Sequence, residues 1–127
     1  MCRISPETMK IEHFIPRDDD TFGKLKSLDY SNMLGVCDGG VKFNKEHNLT
    51  KKENLSCDAY KGNNLLSLNP SVERDFEQMK IRYSSDGKIH SDSINTNFQN
   101  EINDVLNLNV PRLVNMRKAA KMGVINF

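Results

Sequence analysis

The chain has 127 residues, a length typical of one domain, and its 18 basic and 17 acidic side chains leave a net charge of +1. This balance excludes a protein that binds nucleic acid through a strongly basic overall charge. The sequence contains no apolar run of membrane-spanning length and no signal peptide, which predicts a cytoplasmic protein without membrane contact.

The N-terminal part contains two predicted strands. Residues 8–16 alternate between polar and apolar side chains and stop at Pro16, and residues 28–37 carry apolar side chains up to an Asp-Gly-Gly turn at 38–40. Both patterns predict short strands that end in turns.

Polar segments separate and follow these strands. Residues 17–27 and 41–56 are predicted to be exposed loops, and the second is long for a small domain. Residues 57–66 predict a helix with Asp58 near its start, where the helix dipole favours an acidic side chain.

The C-terminal part begins with a hairpin signal. Residues 70–79 predict a short helix or an irregular segment. Two short apolar runs, 81–83 and 88–90, flank an Asp-Gly turn at 84–87, a pattern typical of a β-hairpin.

Two helices are predicted after the hairpin. Apolar residues recur at near-helical spacing over 92–108, which predicts an amphipathic helix. A second helix is predicted over 110–122, with Asn109 as its N-cap and Gly123 as its stop.

Five polar residues near these elements have the chemistry of a phosphodiester-cleaving metal site. Hydrolysis requires a general base and a cation that neutralises the phosphate. His13 is a candidate general base, a common role of histidine, and Glu12 and Asp58 offer the oxygen ligands that magnesium prefers. Asn32 can orient His13 or brace its loop, and Lys61 can contact phosphate. On a strand Glu12 and His13 point to opposite faces, so they can share a site only where the strand ends or twists.

Each of these residues also has a purely structural interpretation. His13 can be a surface or core histidine, Asp58 a helix cap and Asn32 a turn residue. Their spacing alone does not choose between the two interpretations.

The chain has three cysteines, and this odd number, in the reducing compartment expected for the protein, argues against a disulfide framework. Cys37 and Cys57 lie at the edges of predicted elements and supply half of a tetrahedral zinc site, with Cys2 as a candidate third ligand and His47 as a remote fourth. Burial without a metal is the alternative.

Two groups of basic residues are candidate nucleic-acid contacts, and solvated charge is the alternative for both. The first is Lys51 and Lys52 with Lys61, and the second is Arg112, Arg117, Lys118 and Lys121.

With these residues in place, the chain resembles the HNH (ββα-metal) endonucleases. More narrowly, it is similar to the HNH subunit of bacterial Septu and retron-associated anti-phage systems. The matching strings cover nearly the whole chain and are Ile11-Glu12-His13-Phe14-Ile15-Pro16-Arg17, Asn32-Met33-Leu34-Gly35-Val36-Cys37, Cys57-Asp58-Ala59-Tyr60-Lys61-Gly62-Asn63, Leu68-Asn69-Pro70, Tyr83-Ser84-Ser85-Asp86-Gly87-Lys88-Ile89, Glu101-Ile102-Asn103-Asp104-Val105-Leu106-Asn107-Leu108-Asn109 and Asn115-Met116-Arg117-Lys118-Ala119-Ala120.

The resemblance implies an α+β fold, with a ββα-metal core over 1–70 and a hairpin and two-helix extension over 71–127. It implies His13 as general base and Asn32 as support for the active-site loop. It also implies catalytic Mg²⁺ or Mn²⁺ on Glu12 and Asp58, and structural Zn²⁺ on a knuckle to which Cys37 and Cys57 contribute half of the ligands. DNA is the implied substrate and an ATPase the implied partner protein.

The chain departs from the family pattern in two places. The family usually has a Cys-x-x-Cys pair before the acid-histidine segment, and its place here is taken by Met1-Cys2, so we expect an upstream segment to be missing. Asp58 stands where many members have His or Asn, which suits magnesium better than zinc. The alternatives to a nuclease are a non-catalytic zinc-knuckle module that binds a partner or nucleic acid, and an inactive truncated remnant.

Overall fold

The computed structural model describes residues 4–125, which form short strands and helices in the order of a mixed α+β chain. The strands are β1 (Lys10–His13), β2 (Met33–Val36), β3 (Ile81–Tyr83) and β4 (Ile89–Ser91). The helices are α1 (Gly23–Lys26), α2 (Val41–Glu46), α3 (Cys57–Lys61), α4 (Glu73–Met79), α5 (Thr96–Asp104) and α6 (Pro111–Ile125). The predicted α+β class is therefore confirmed.

The strands form two separate antiparallel pairs. β1 pairs with β2, with Lys10 opposite Val36 and His13 opposite Met33. The predicted second strand was too long at its start, because the carboxylate of Asp29 accepts a hydrogen bond from the backbone N–H of Ser31 and fixes a 3₁₀ turn over Tyr30–Asn32. β1 ends at His13, three residues earlier than predicted.

The two segments predicted to be exposed loops contain helical turns, so those predictions were wrong. The Asp19 carboxylate accepts hydrogen bonds from the N–H groups of Thr21 and Phe22 just before α1. The Asp38 carboxylate does the same for Gly40 and Lys42 at the start of α2. Single acidic side chains thus stabilise helices that the apolar pattern does not reveal.

The main hydrophobic cluster lies in the C-terminal part. It consists of Leu68, Met79, Ile89, Phe98 and Ile102, with Leu108 packed beside it. Over residues 4–62, by contrast, none of the Leu, Ile, Val, Met or Phe side chains is buried, and the buried polar side chains there are Asn32, Asn44, Ser56 and Lys61. The N-terminal part is therefore organised around polar groups.

The predicted hairpin is confirmed, with Ile81 opposite Ser91 and Tyr83 opposite Ile89. Its turn packs closely on α6. Gly87 has a φ of 83°, and a Cβ atom there would lie 2.6 Å from the carbonyl oxygen of Val114. Only glycine satisfies both conditions.

The last two helices form near their predicted positions with different ends. α5 begins later than predicted, after Asn95, whose Oδ1 accepts a hydrogen bond from the N–H of Phe98. Asn109 is not the N-cap of α6, because its side chain bonds both the N–H and the carbonyl of Ile89. Gly123 does not stop α6, which continues to Ile125.

Polar contacts join the N-terminal part to the segment between α5 and α6. The N–H of Cys57 donates to the carbonyl of Leu106 at 2.8 Å, and Nδ2 of Asn107 donates to the carbonyls of Glu53 and Leu55. These bonds fix the start of α3, and they cross the predicted boundary between residues 70 and 71.

Candidate functional site

A cavity of 250 Å³ lies at the end of β1, beside α3. Glu12, His13 and Asp58 all line it, together with Arg17 and Gly62. Glu12 and His13 reach the same cavity because His13 is the last residue of β1, where the alternation of side chains between strand faces ends. Three of the predicted site residues therefore meet in one place.

Asn32 supports this site from behind and does not line the cavity. Its buried side chain accepts a hydrogen bond from the N–H of Ile15 at 2.8 Å and donates to the carbonyls of Ile15 and Lys26. The Asn32 carbonyl also accepts from the N–H of Phe14. These bonds hold the two residues that follow His13 against the segment before β2.

The ring of His13 has a fixed orientation. Its Nε2 lies 2.9 Å from the carbonyl oxygen of Ser27. A carbonyl only accepts hydrogen bonds, so Nε2 carries the proton and Nδ1 is the basic nitrogen of the neutral ring. The role of Ser27 could not be predicted, because the contact uses its backbone and not its side chain.

Glu12 lies between the carboxylate of Asp58 and the buried ammonium group of Lys61. Lys61 Nζ donates to Glu12 Oε1 at 2.9 Å, and the two side chains are only 3% and 17% exposed. Burial and a hydrogen bond with Asp58 raise the pKa of Glu12 from 4.5 to about 7, while Lys61 acts in the opposite direction. Burial beside a second carboxyl group thus favours the protonated form of Glu12.

The short helix α3 places Asp58 and Lys61 on one side, since they are three residues apart. Lys61 also donates to the carbonyl of Gly62 at 3.3 Å. The predicted phosphate contact of Lys61 stays a prediction, because the observed partners of its ammonium are Glu12 and this carbonyl.

The pair Glu12 and Asp58 fits a magnesium-like ion better than zinc. Within residues 4–125, no group of three or more His, Cys, Asp or Glu side chains is arranged to hold a metal. Mg²⁺ is commonly bound by one or two carboxylates and completes its shell with water and substrate phosphate. Zinc in proteins usually takes three or four side-chain ligands.

The predicted zinc knuckle stays a prediction. Cys37 and Cys57 are both partly buried, and the N–H of Ser56 donates to the carbonyl of Gly39, which holds their two segments side by side. The ring of His47 stacks on Phe43, and its Nδ1 bonds the Phe43 carbonyl. Cys2 lies outside the described residues.

The first predicted basic group does not form one exposed patch, because Lys51 and Lys52 are exposed while Lys61 is buried. In the second group, Arg112 bonds Ser56 and Gly39. The other members of that group, Arg117, Lys118 and Lys121, line a separate cavity.

None of the family models, curated proteins and solved structures compared with this chain matches it. Among the described residues, no helix is both long and apolar enough to cross a membrane.

We expect Glu12 to make the protein less stable as the pH rises from about 5 to 8. Its pKa is about 7 in the folded protein and 4.5 ordinarily, so the folded state binds more protons in this range. The free energy of unfolding therefore falls, by at most about 3 kcal/mol from this group. Urea unfolding at pH 5, 6.5 and 8 measures the fall.

The Asp58→Asn variant should show a smaller fall, because Asp58 contributes to the raised pKa of Glu12. Asp20→Asn, which removes an exposed acid, is the matched control and should retain the wild-type pH dependence. Identical pH dependence in all three proteins would contradict the assignment to Glu12.

Proposed function

We propose that this protein is a metal-dependent HNH-type endonuclease subunit that hydrolyses phosphodiester bonds of DNA. In this proposal β1, β2 and α3 form the ββα-metal unit. The observation that carries it is the shared cavity of Glu12, His13 and Asp58, in which a base adjoins a pair of carboxylates. A base and a cation site are the two requirements for in-line hydrolysis by water.

His13 is the general base in this mechanism. Its Nε2–H is held by the Ser27 carbonyl, so Nδ1 is available to take a proton from the attacking water. The backbone contact also restricts rotation of the ring, which keeps the basic nitrogen in a fixed direction. Positioning of this kind contributes to catalysis because it removes orientational freedom before the reaction.

Glu12 and Asp58 would hold the divalent cation, Mg²⁺ or Mn²⁺. When bound, such an ion supplies positive charge that stabilises the scissile phosphate and the leaving oxygen. The raised pKa of Glu12 supports this assignment, because two neighbouring carboxyl groups in a partly buried site lack sufficient positive charge. Lys61 supplies part of that charge from inside the protein.

Asn32 positions His13 without touching the reacting atoms. Its three side-chain hydrogen bonds fix residues 15 and 26, which are close in sequence to His13 and to its partner Ser27. The resemblance assigns the same supporting role to this asparagine. The resemblance also extends the proposal to anti-phage defence with an ATPase partner. A net charge of only +1 fits such a partner, because the partner can supply affinity for DNA.

The proposal predicts cleavage that requires an added divalent ion. The purified chain, alone or with its partner protein, should nick supercoiled plasmid DNA in Mg²⁺ or Mn²⁺ and not in EDTA. Calorimetric titration with Mn²⁺ should show one site per chain, weakened at least about tenfold by Asp58→Asn, because one of two ligands is lost.

Asp20→Asn is the control for the titration and should bind Mn²⁺ as the wild type does. Cleavage that persists in EDTA would contradict the proposed mechanism. Binding of DNA with no cleavage under any metal condition would favour the non-catalytic binding module.

A further inference from the structure

A second cavity lies between the β3–β4 hairpin and α6. Its volume is 390 Å³, and its lining includes Tyr83, Ser84, Gly87, Arg117, Lys118 and Lys121. None of the residues that line the Glu12–Asp58 cavity belongs to it. It is therefore a separate feature of the molecule.

The hairpin and α6 are fixed to each other at this cavity. Arg117 donates from Nη1 to the carbonyl of Gly87 at 2.9 Å and from Nη2 to the carbonyl of Leu108. Gly87 lies against Val114 and the aliphatic part of Lys118. These contacts hold the hairpin turn against α6 beside the cavity.

The charge around the cavity is positive. Lys118 and Lys121 are exposed, and the sequence of α6 contains no acidic residue. Asp86, the acid of the hairpin turn, directs its carboxylate back to the hydroxyl of Ser84 and the N–H of Lys88. The two lysines therefore present their charge to solvent without an acidic neighbour among the lining residues.

The cavity also offers an aromatic face. Tyr83 is 69% exposed although it lies on a strand and lines the cavity. An exposed aromatic ring beside two lysines matches a ligand that has both a flat ring and a phosphate. Bases stack on aromatic side chains when they are unpaired, as they are in single strands.

We propose that the cavity between the hairpin and α6 binds single-stranded nucleic acid, with Lys118 and Lys121 contacting phosphates and Tyr83 stacking on a base. This inference builds on the proposed nuclease function, because it names the surface that retains a strand outside the cleavage site. A chain of net charge +1 can hold a polyanion through such a local basic surface.

Fluorescence anisotropy with a labelled oligothymidylate of about 12 nucleotides tests the proposal. The full chain is used in EDTA, so that cleavage does not affect the measurement. We expect Lys118→Gln/Lys121→Gln to bind about tenfold or more weakly and to reduce the slope of log Kd against log salt by about 1.4. Lys42→Gln/Lys45→Gln removes two exposed lysines of α2 and should bind like the wild type.

Tyr83→Ala should weaken binding roughly 5- to 100-fold, while Tyr83→Phe, which keeps the ring, should retain wild-type affinity. Circular dichroism verifies that each variant is folded. Equal affinity of the wild type and the Lys118→Gln/Lys121→Gln variant would overturn the proposal, as would tighter binding of a duplex than of the single strand. A chain that binds in this manner and never cleaves would contradict only the proposed nuclease function.

Discussion

Replacing His13 with alanine is expected to reduce the rate of DNA cleavage by about 10²- to 10⁴-fold and to leave the protein folded. This range is typical for removal of a general base. The structural cost is small because His13 is only partly buried and loses one hydrogen bond, from Nε2 to the Ser27 carbonyl. Initial rates of plasmid nicking at saturating Mn²⁺, with circular dichroism of both proteins, measure the effect.

His90→Ala is the matched control for this experiment. His90 is exposed on β4, where its Nε2 lies 3.2 Å from the hydroxyl of Ser84. We expect this variant to cleave within about twofold of the wild type, since surface changes alter little. Added imidazole should restore part of the activity of His13→Ala. If His13→Ala cleaves DNA at the wild-type rate, another group activates the water.

Replacing Lys61 with methionine is expected to destabilise the protein by about 3–5 kcal/mol at pH 8.5, the usual cost of removing one partner of a buried ion pair. Glu12 would then remain partly buried beside Asp58 without its ammonium partner. The loss should be smaller at pH 5.5, because Glu12 has a pKa of about 7 and is mostly protonated there. Urea unfolding of the wild type and the variant at both pH values measures the loss of stability.

Two further variants test whether the effect of Lys61→Met comes from the loss of its charge. Lys51→Met removes an ammonium that lies 4.0 Å from Glu53 in an exposed pair, and it should change stability by less than about 1 kcal/mol. Lys61→Met/Glu12→Gln should recover much of the lost stability at pH 8.5, because it removes the unpaired charge as well. A double variant as unstable as Lys61→Met would mean that packing, not charge, accounts for the effect.

The Lys61→Met variant also tests the proposed cation site. In Lys61→Met the two carboxylates lack their internal positive charge, so an added divalent ion should stabilise this variant more than it stabilises the wild type. Ligands that bind only the folded state raise its stability by mass action. Thermal unfolding with and without Mn²⁺ gives the comparison, and equal shifts for both proteins would argue against a cation site at Glu12.

The elements that could be predicted are those with a local signal in the sequence. The Asp-Gly turn at residue 86 marks the β3–β4 hairpin, and the spacing of Phe98 and Ile102 marks α5. α1 and α2 could not be predicted by the same means, since they are short and depend on side-chain hydrogen bonds from Asp19 and Asp38.

Residues of the candidate site carry a signal in the sequence, but two of their contacts do not. The sequence motifs identified Glu12, His13 and Asp58, and the structure places all three on one cavity. The ion pair with Lys61 joins residues 49 positions apart, and no periodic pattern connects them. The contact between His13 and Ser27 uses a backbone carbonyl, which any residue type supplies.

The hydrogen bond from Cys57 to Leu106 has a consequence for synthesis of the chain. The ribosome releases β1, β2 and the residues of α3 first, but the partner that fixes the start of α3 emerges almost 50 residues later. Long-range contacts of this kind delay folding until both segments are present. An unfinished chain that ends before Leu106 would therefore carry His13 and Asp58 without the contact that fixes the start of α3.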